Sequence, residues 1–209
     1  LELHGAKFTT DANQLKRSIE KCGFVYLHAP FFSPALKAVA GVRKSLGVRN
    51  FFNIMGPLVN PTQPPYQVLG VYDLSMMRLF SYIYQESKKN FSIVHSIDGY
   101  DEISLTGQFK VVSNRGEQLF VPGDLGLRRA SQTELSGGET PEDAARIFDL
   151  VLRCEATEAQ MNAVLVNAAF GIRTIEQDKS IDDCLDQARD SLYGKKALKT
   201  FNQYIELNS

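Results

Sequence analysis

The chain has 209 residues, 44% of them hydrophobic and 22% charged, with a formal net charge of -1 at pH 7; this supports a sizeable apolar core and excludes an intrinsically disordered chain. Its longest uncharged apolar stretch, Ala163 to Ile172, contains Asn167 and falls well short of the roughly 20 residues that a membrane span needs. Without the basic excess of a phosphate-backbone binder, neither nucleic acid nor membrane is an expected partner.

Leu1-Glu2-Leu3-His4-Gly5 has neither an initiator Met nor a signal-peptide pattern, and it reads as a cut inside a longer protein. Thr10 to Cys22 has the spacing of an amphipathic helix stopped by Gly23, and Phe24-Val25-Tyr26-Leu27 reads as a short buried strand. After a break at Ala29-Pro30, Ser33 as N-cap and Pro34 as first residue open a helix to about Leu46. Asn50 to Met55 is a further helical segment ended by Gly56-Pro57, and Asn60-Pro61 through Pro64-Pro65 reads as a linker.

From Tyr66 onward the pattern is strand (67–72), helix (74–88), strand (91–96), a βαβ unit that predicts parallel pairing. Two or three β-rich segments follow between Ile103 and Val121, with Asn114-Arg115-Gly116 as a turn. The last third is helical, each helix announced by a capping hydroxyl ahead of acids: Thr140 before Glu142-Asp143, Thr157 before Glu158, and Ser180 before Asp182-Asp183.

Cys22, Cys154 and Cys184 are odd in number and lack a CxxC pair. They fit a reducing compartment, so the expected location is cytoplasmic and the thiols are read as small hydrophobes. The three histidines have no metal-ligand spacing, and no nucleophile–base pair is discernible, so no catalytic residue is nominated.

Two constellations carry chemistry. Between Glu20 and Asp73 there is no acidic residue, while Lys21, Lys37, Arg43, Lys44 and Arg49 lie within that window. Such a surface suits an anionic ligand, and equally describes an apolar segment with few charges. On the helix from Pro34, Arg43 falls on the apolar stripe of Leu36, Val39, Ala40 and Leu46. A guanidinium there needs an anion, either a distant carboxylate of the chain or a ligand carboxylate that its planar fork can grip. The second constellation is Asp98-Gly99-Tyr100-Asp101-Glu102, just after a strand. Loops at the carboxyl ends of parallel strands line ligand crevices, so its three carboxylates could hold Mg²⁺; an exposed acidic turn is the plainer alternative.

The runs Phe24 to Pro30, Pro34 to Lys37, Val42-Arg43-Lys44-Ser45-Leu46-Gly47-Val48-Arg49 and Phe52 to Pro61 closely resemble the anthranilate phosphoribosyltransferase family. Asp98-Gly99 with Asp101-Glu102-Ile103-Ser104, Leu135 to Gly138 and Asn167-Ala168-Ala169 continue the resemblance in order to about Leu198. It implies transfer of the phosphoribosyl group of phosphoribosyl pyrophosphate to anthranilate in tryptophan biosynthesis, with Mg²⁺ and a homodimeric whole protein. Arg43 would bind the anthranilate carboxylate, Gly56 and Pro57 would line that pocket, and Asp101 and Glu102 would bind the metal. The implied fold is α/β, a mostly parallel sheet flanked by helices, similar to nucleoside phosphorylases. Residues 1–32 would end a first α/β segment, 33–60 would be helices of a split helical domain, and 61–209 the α/β domain.

Ser33 stands where the family commonly has histidine, and Asn50 where it has threonine. The family's glycine-rich phosphate loop lies upstream of the position matching Leu1, so this stretch alone is expected to be inactive. The rival readings are a pyrimidine nucleoside phosphorylase and a non-catalytic nucleic-acid-binding relative.

Overall fold

The computed structural model describes residues 1–33 and 56–209, which divide into two compact units: Leu1–Pro64 with Lys199–Ser209, and Pro65–Leu198. In the first unit, α1 (Ala12–Cys22) begins at Asp11, whose carboxylate accepts from the Asn13 amide at 2.9 Å, and ends at Gly23, left-handed at φ 72°. These are the N-cap and C-cap devices expected of a short amphipathic helix. Its buried face carries Ser18, which donates to Asn208 Oδ1 (3.2 Å) and accepts from Asn208 Nδ2 (2.9 Å), closing a buried polar contact with the C-terminal helix. Residues 24–27 do not form the expected strand. They find no ladder partner among the described residues, and ring packing holds the segment instead: Tyr26 and His28 lie against Phe8 at 4.8 and 5.1 Å, and Phe31 meets His28 edge-on at 5.0 Å. Pro30, expected as a break, sits in the first turn of the single-turn helix α2 (Ala29–Phe32), which Ser33 ends. The helices expected from Pro34 and Asn50, Arg43 included, lie outside the described residues.

The second unit is built on a four-stranded sheet, β1 (Tyr66–Gly70), β2 (Asn90–Ser96), β3 (Phe109–Ser113) and β4 (Gly116–Phe120), in that spatial order. β1 and β2 are parallel and joined through α3 (Leu74–Gln85), as the βαβ pattern predicts. The remaining pairings are antiparallel. The α/β class with flanking helices is thus as expected, but these four strands form a mixed sheet rather than a mostly parallel one. The physical reason is connection length: Asn114-Arg115 closes a tight hairpin, and residues 97–108 carry no crossover helix.

β2 is buried from Phe91 to Ser96 because both of its faces are covered. Phe91 stacks on Tyr84 of α3 (5.4 Å), while its neighbour Ser92, facing the other way, accepts from Thr174 of α5 (2.7 Å). Four helices follow: α4 (Pro141–Arg153), α5 (Glu158–Ile175), α6 (Ile181–Tyr193) and α7 (Lys196–Asn208). The first three start at Thr140, Thr157 and Ser180, the hydroxyls picked out in the sequence, each accepting a backbone N–H at its N-cap. Helix α5 is apolar nearly all round because it serves two cores. Ala159, Val166 and Phe170 pack with Val94, Ile103 and Phe109, whereas Met161, Leu165 and Ala169 pack with Cys184, Leu185 and Leu192 of α6. Cys22 and Cys184 are buried and Cys154 is half-buried, none in a disulfide. No described helix is long and apolar enough to cross a membrane.

Before α4, Arg128 pairs with Glu134 at 2.6 Å, and Glu134 also accepts from the Ser131 amide at 2.8 Å. The bond to Arg128, and then those to Ser131, hold the Glu134 carboxyl down at about 2. A depressed carboxylate stabilises the fold above its unfolded pKa and loses that contribution as pH falls towards its folded one. An NMR titration of the Glu134 carboxyl should show a midpoint near 2, rising towards the ordinary carboxylate range in Arg128→Ala; an unmoved midpoint would show that Arg128 is not the cause.

Candidate metal and substrate site

The acidic loop 98–102 lies at the carboxyl end of β2, where the chain leaves the parallel pair. Its position is set by three sets of contacts. Close approach to β1 is the first: a Cβ on Gly70 would stand 1.6 Å from the Asp101 carbonyl oxygen, so glycine alone lets the loop lie against the strand end. Hydroxyls form the second. Ser96 Oγ donates to the Glu102 carbonyl (2.7 Å) and accepts from the Ser104 amide (3.1 Å); Ser104 Oγ is 2.7 Å from Thr106 Oγ1, and the Thr106 hydroxyl donates to Asp98 Oδ2. Ser96, Ser104 and Thr106 are buried, so each polar atom paired here is spared a desolvation cost.

The third contact comes from α5. Asn167 accepts from the Ile103 amide (3.0 Å) and donates to the Ile103 carbonyl (2.9 Å), with a further bond to the Ala163 carbonyl (2.8 Å). One amide side chain thus clamps both backbone groups of the residue directly after Glu102, and Ile103 itself is fully buried in the core. The chain then turns through Leu105, left-handed at φ 61° and buried, whose carbonyl accepts from the Ala130 amide at 2.9 Å. A bulky residue keeps such a conformation only where its surroundings impose it.

Asp101 and Glu102 are exposed at the tip of this scaffold. Partial burial of the Glu102 carboxyl, and then the neighbouring Asp101 charge, push it above the ordinary carboxylate range. Two carboxylates that repel each other on a fixed loop are a donor set a divalent cation would relieve, and hard cations such as Mg²⁺ take one or two protein carboxylates and complete their shell with water and phosphate oxygens. The three-carboxylate reading is corrected: Asp98 is engaged by Thr106, and no group of three or more His, Cys, Asp or Glu able to hold a metal occurs among the described residues.

In the first unit, Gly56 and Pro57 open a 3₁₀ turn (Gly56–Leu58). Gly56 lines a cavity of about 90 Å³ together with Leu27, Ala29, Phe32, Ser33 and Asn60. Its walls are mainly apolar, the usual character of a small-molecule pocket. Ser33 puts a small hydroxyl on this wall, and Arg43 lies outside the described residues. The histidines pack as expected: His95 Nδ1 lies 2.8 Å from the Val71 carbonyl, His4 packs edge-on against Phe201, and His28 stacks on Phe8.

Sequence reasoning gave no role to Gly70, Asn167 or the Ser96–Ser104–Thr106 hydroxyls. The glycine in Leu69-Gly70-Val71 at a strand end was the available signal, since a strand glycine often marks close backbone approach. Replacing Asn167 by Ala leaves the Ile103 N–H and C=O unpaired, and should lower unfolding stability by about 1–3 kcal/mol in a urea titration, with the largest amide shifts at 101–104. A loss below about 0.5 kcal/mol would contradict the clamp.

The family model described as "Glycosyl transferase family, a/b domain" matches residues 1–198. An anthranilate phosphoribosyltransferase of Bacteroides thetaiotaomicron is 54% identical over 209 residues, covering 100% of this chain and 63% of that protein. Among solved structures, anthranilate phosphoribosyltransferase from Thermus thermophilus superposes with a TM-score of 0.90 at 30% identity, covering 99% of this chain and 62% of that one. The Saccharomyces cerevisiae enzyme, solved in complex with PRPP and Mg, shares the fold at a TM-score of 0.89 and 21% identity, covering 99% of this chain and 59% of that one. The chain therefore spans about 63% of the length of the curated relatives it matches. With the family model matching nearly its whole length, and the sheet and flanking helices in the same arrangement, the chain belongs to the glycosyl transferase family with this a/b domain.

Proposed function

We propose that this chain is a part of an anthranilate phosphoribosyltransferase, carrying its α/β domain and some of a helical one, and that the whole enzyme transfers the phosphoribosyl group of phosphoribosyl pyrophosphate to the amine of anthranilate in tryptophan biosynthesis. The products are N-(5-phosphoribosyl)anthranilate and pyrophosphate. The observation that carries the reading is the Asp101–Glu102 pair, held at the carboxyl end of β2 by Gly70, Ser96 and Asn167, in a chain 54% identical to a protein of that name. In this reading Asp101 and Glu102 hold Mg²⁺, Arg43 receives the anthranilate carboxylate, and Gly56 and Pro57 shape the pocket for its ring. Residues 33–60 belong to a helical domain that makes a homodimer in the whole cytoplasmic enzyme.

Departure of pyrophosphate builds negative charge on the leaving group and positive character on the ribose carbon. Magnesium, when bound, offsets charge on the pyrophosphate oxygens. The contribution of the chain's own residues is positional. A loop tied by backbone contacts to β1, β2 and α5 keeps its carboxylates in place without reorganising as the reaction proceeds, and preorganisation of this kind supplies much of an enzyme's electrostatic stabilisation. A bidentate Arg43–carboxylate contact would fix the ring and so present the amine to the ribose. The anthranilate amine is a competent nucleophile when neutral, so no protein base is assigned.

The test follows the loss of anthranilate fluorescence with phosphoribosyl pyrophosphate and Mg²⁺, comparing the 209-residue chain with a form extended upstream to its natural start. The extended form should turn over and the shorter one should not. Arg43→Ala in the extended form should lower kcat/KM for anthranilate by about 10²-fold or more, the scale of a lost charge-assisted bidentate contact. No turnover by either form would contradict the proposal. Phosphorolysis of a pyrimidine nucleoside, unaffected by Arg43→Ala, would replace it with the nucleoside phosphorylase reading.

A further inference from the structure

At the other end of β2, a second feature has no part in the transfer reaction. Arg173, in the last turns of α5, faces a small pocket walled by the start of β2, the β3–β4 turn and the end of α5, where Ser113, Asn114, Arg115, Gln118 and Gln177 join it. The Nε of Arg173 is buried and has no hydrogen-bond partner. None of the residues lining the pocket is acidic. The charge facing Arg173 is that of Arg115, whose guanidinium donates to the Gln177 carbonyl, and burial followed by this like charge pushes the Arg173 pKa down.

Two of the neutral groups nearby are already engaged. Asn114 accepts from the Phe91 amide at 2.7 Å and donates to the Lys89 carbonyl at 3.1 Å, and Ser113 Oγ accepts from the Arg115 amide at 3.2 Å. Two neighbouring guanidinium groups, one with an unmade buried donor and neither facing a carboxylate in the pocket, form an arrangement that water satisfies only in part. Water can accept from Nε and, because Arg115 is exposed, screens the repulsion between the two charges, but it brings no counter-charge. An oxyanion accepts and brings that charge, through short charge-assisted hydrogen bonds to planar forks that match its geometry.

We infer that Arg115 and Arg173 form a binding site for a small oxyanion, a phosphate group, at the end of α5 remote from the acidic loop. Phosphate is favoured over a carboxylate because its charge approaches that of the two guanidinium groups and its tetrahedral oxygens can address both forks together. The pocket's volume of about 20 Å³ is room for about one water-sized group, so a single phosphate oxygen is seated while the rest stays at the mouth. β2 runs from Asn90 to Ser96 and at about 3.3 Å per residue separates this pocket from the acidic loop by about 20 Å. The site is therefore independent of the transfer chemistry proposed above.

The experiment titrates inorganic phosphate into the labelled 209-residue chain at constant ionic strength, following the Nε–Hε resonances of arginine by NMR, with acetate in a parallel arm. Saturable shifts at Arg173 and Arg115, weaker with acetate, are expected, and Arg173→Gln should weaken phosphate binding at least about tenfold. Arg115→Gln, in an exposed turn, should do the same, and it carries the test alone if the helix variant fails to fold. Non-saturable shifts, or saturable ones untouched by either variant, would overturn the site. Acetate binding as tightly as phosphate would overturn the phosphate assignment.

Discussion

Where the Asp101 carbonyl oxygen lies, any residue but glycine at position 70 would place its Cβ, 1.6 Å away. Much of the acidic loop's geometry depends on this approach. Because β1 and β2 are parallel neighbours, the end of β1 and the loop leaving β2 are brought side by side, and a missing side chain on one becomes space for the backbone of the other. Once seated, the loop is held from beneath by the Ser96 hydroxyl on the Glu102 carbonyl and from behind by Asn167 on Ile103. Asp101 and Glu102 are left at the surface, on a backbone with little freedom to retreat when their charges repel.

Helix α5 links this loop to the rest of the second unit. It buries one set of residues against the sheet and another against α6, so its position is fixed from both sides, and Asn167 inherits that rigidity. The half-buried Asn167 amide satisfies two backbone groups at once and so gives the loop a defined geometry. The far end of the same helix carries Arg173, where a buried donor is left unmatched, and that contrast within one helix marks the second pocket out from ordinary packing.

The sequence was most legible where chemistry is local. N-caps at Thr140, Thr157 and Ser180, the stop at Gly23, the βαβ alternation and the hairpin at Asn114 each arise from a few adjacent residues, and each is where the pattern predicts. Phe24 to Leu27 failed for the complementary reason: a strand exists only with a partner, and β-branched or aromatic composition says that a segment suits a pleated, half-buried surface without saying that one is available. The acidic loop could be picked out because a loop after a parallel strand is a recurrent ligand site, whereas its narrowing to Asp101 and Glu102 came from the family resemblance. Its supports were harder to read, since Gly70 and Asn167 meet the loop across 31 and 64 residues of chain, and the glycine at a strand end signals a close approach without saying what approaches.

Gly70 and its neighbours hold Asp101 and Glu102 where a divalent cation would relieve the repulsion between them. Mn²⁺, which shares the oxygen-ligand octahedral preference of Mg²⁺, reports its own position by broadening nearby amide resonances. Substoichiometric Mn²⁺ added to the labelled chain should broaden residues 99–103 first, and the effect should be displaced by Mg²⁺ and lost in Asp101→Asn, Glu102→Gln and Gly70→Ala. Broadening scattered over other acidic segments, or broadening at 99–103 that survives Gly70→Ala with Mn²⁺ affinity unchanged, would contradict the account.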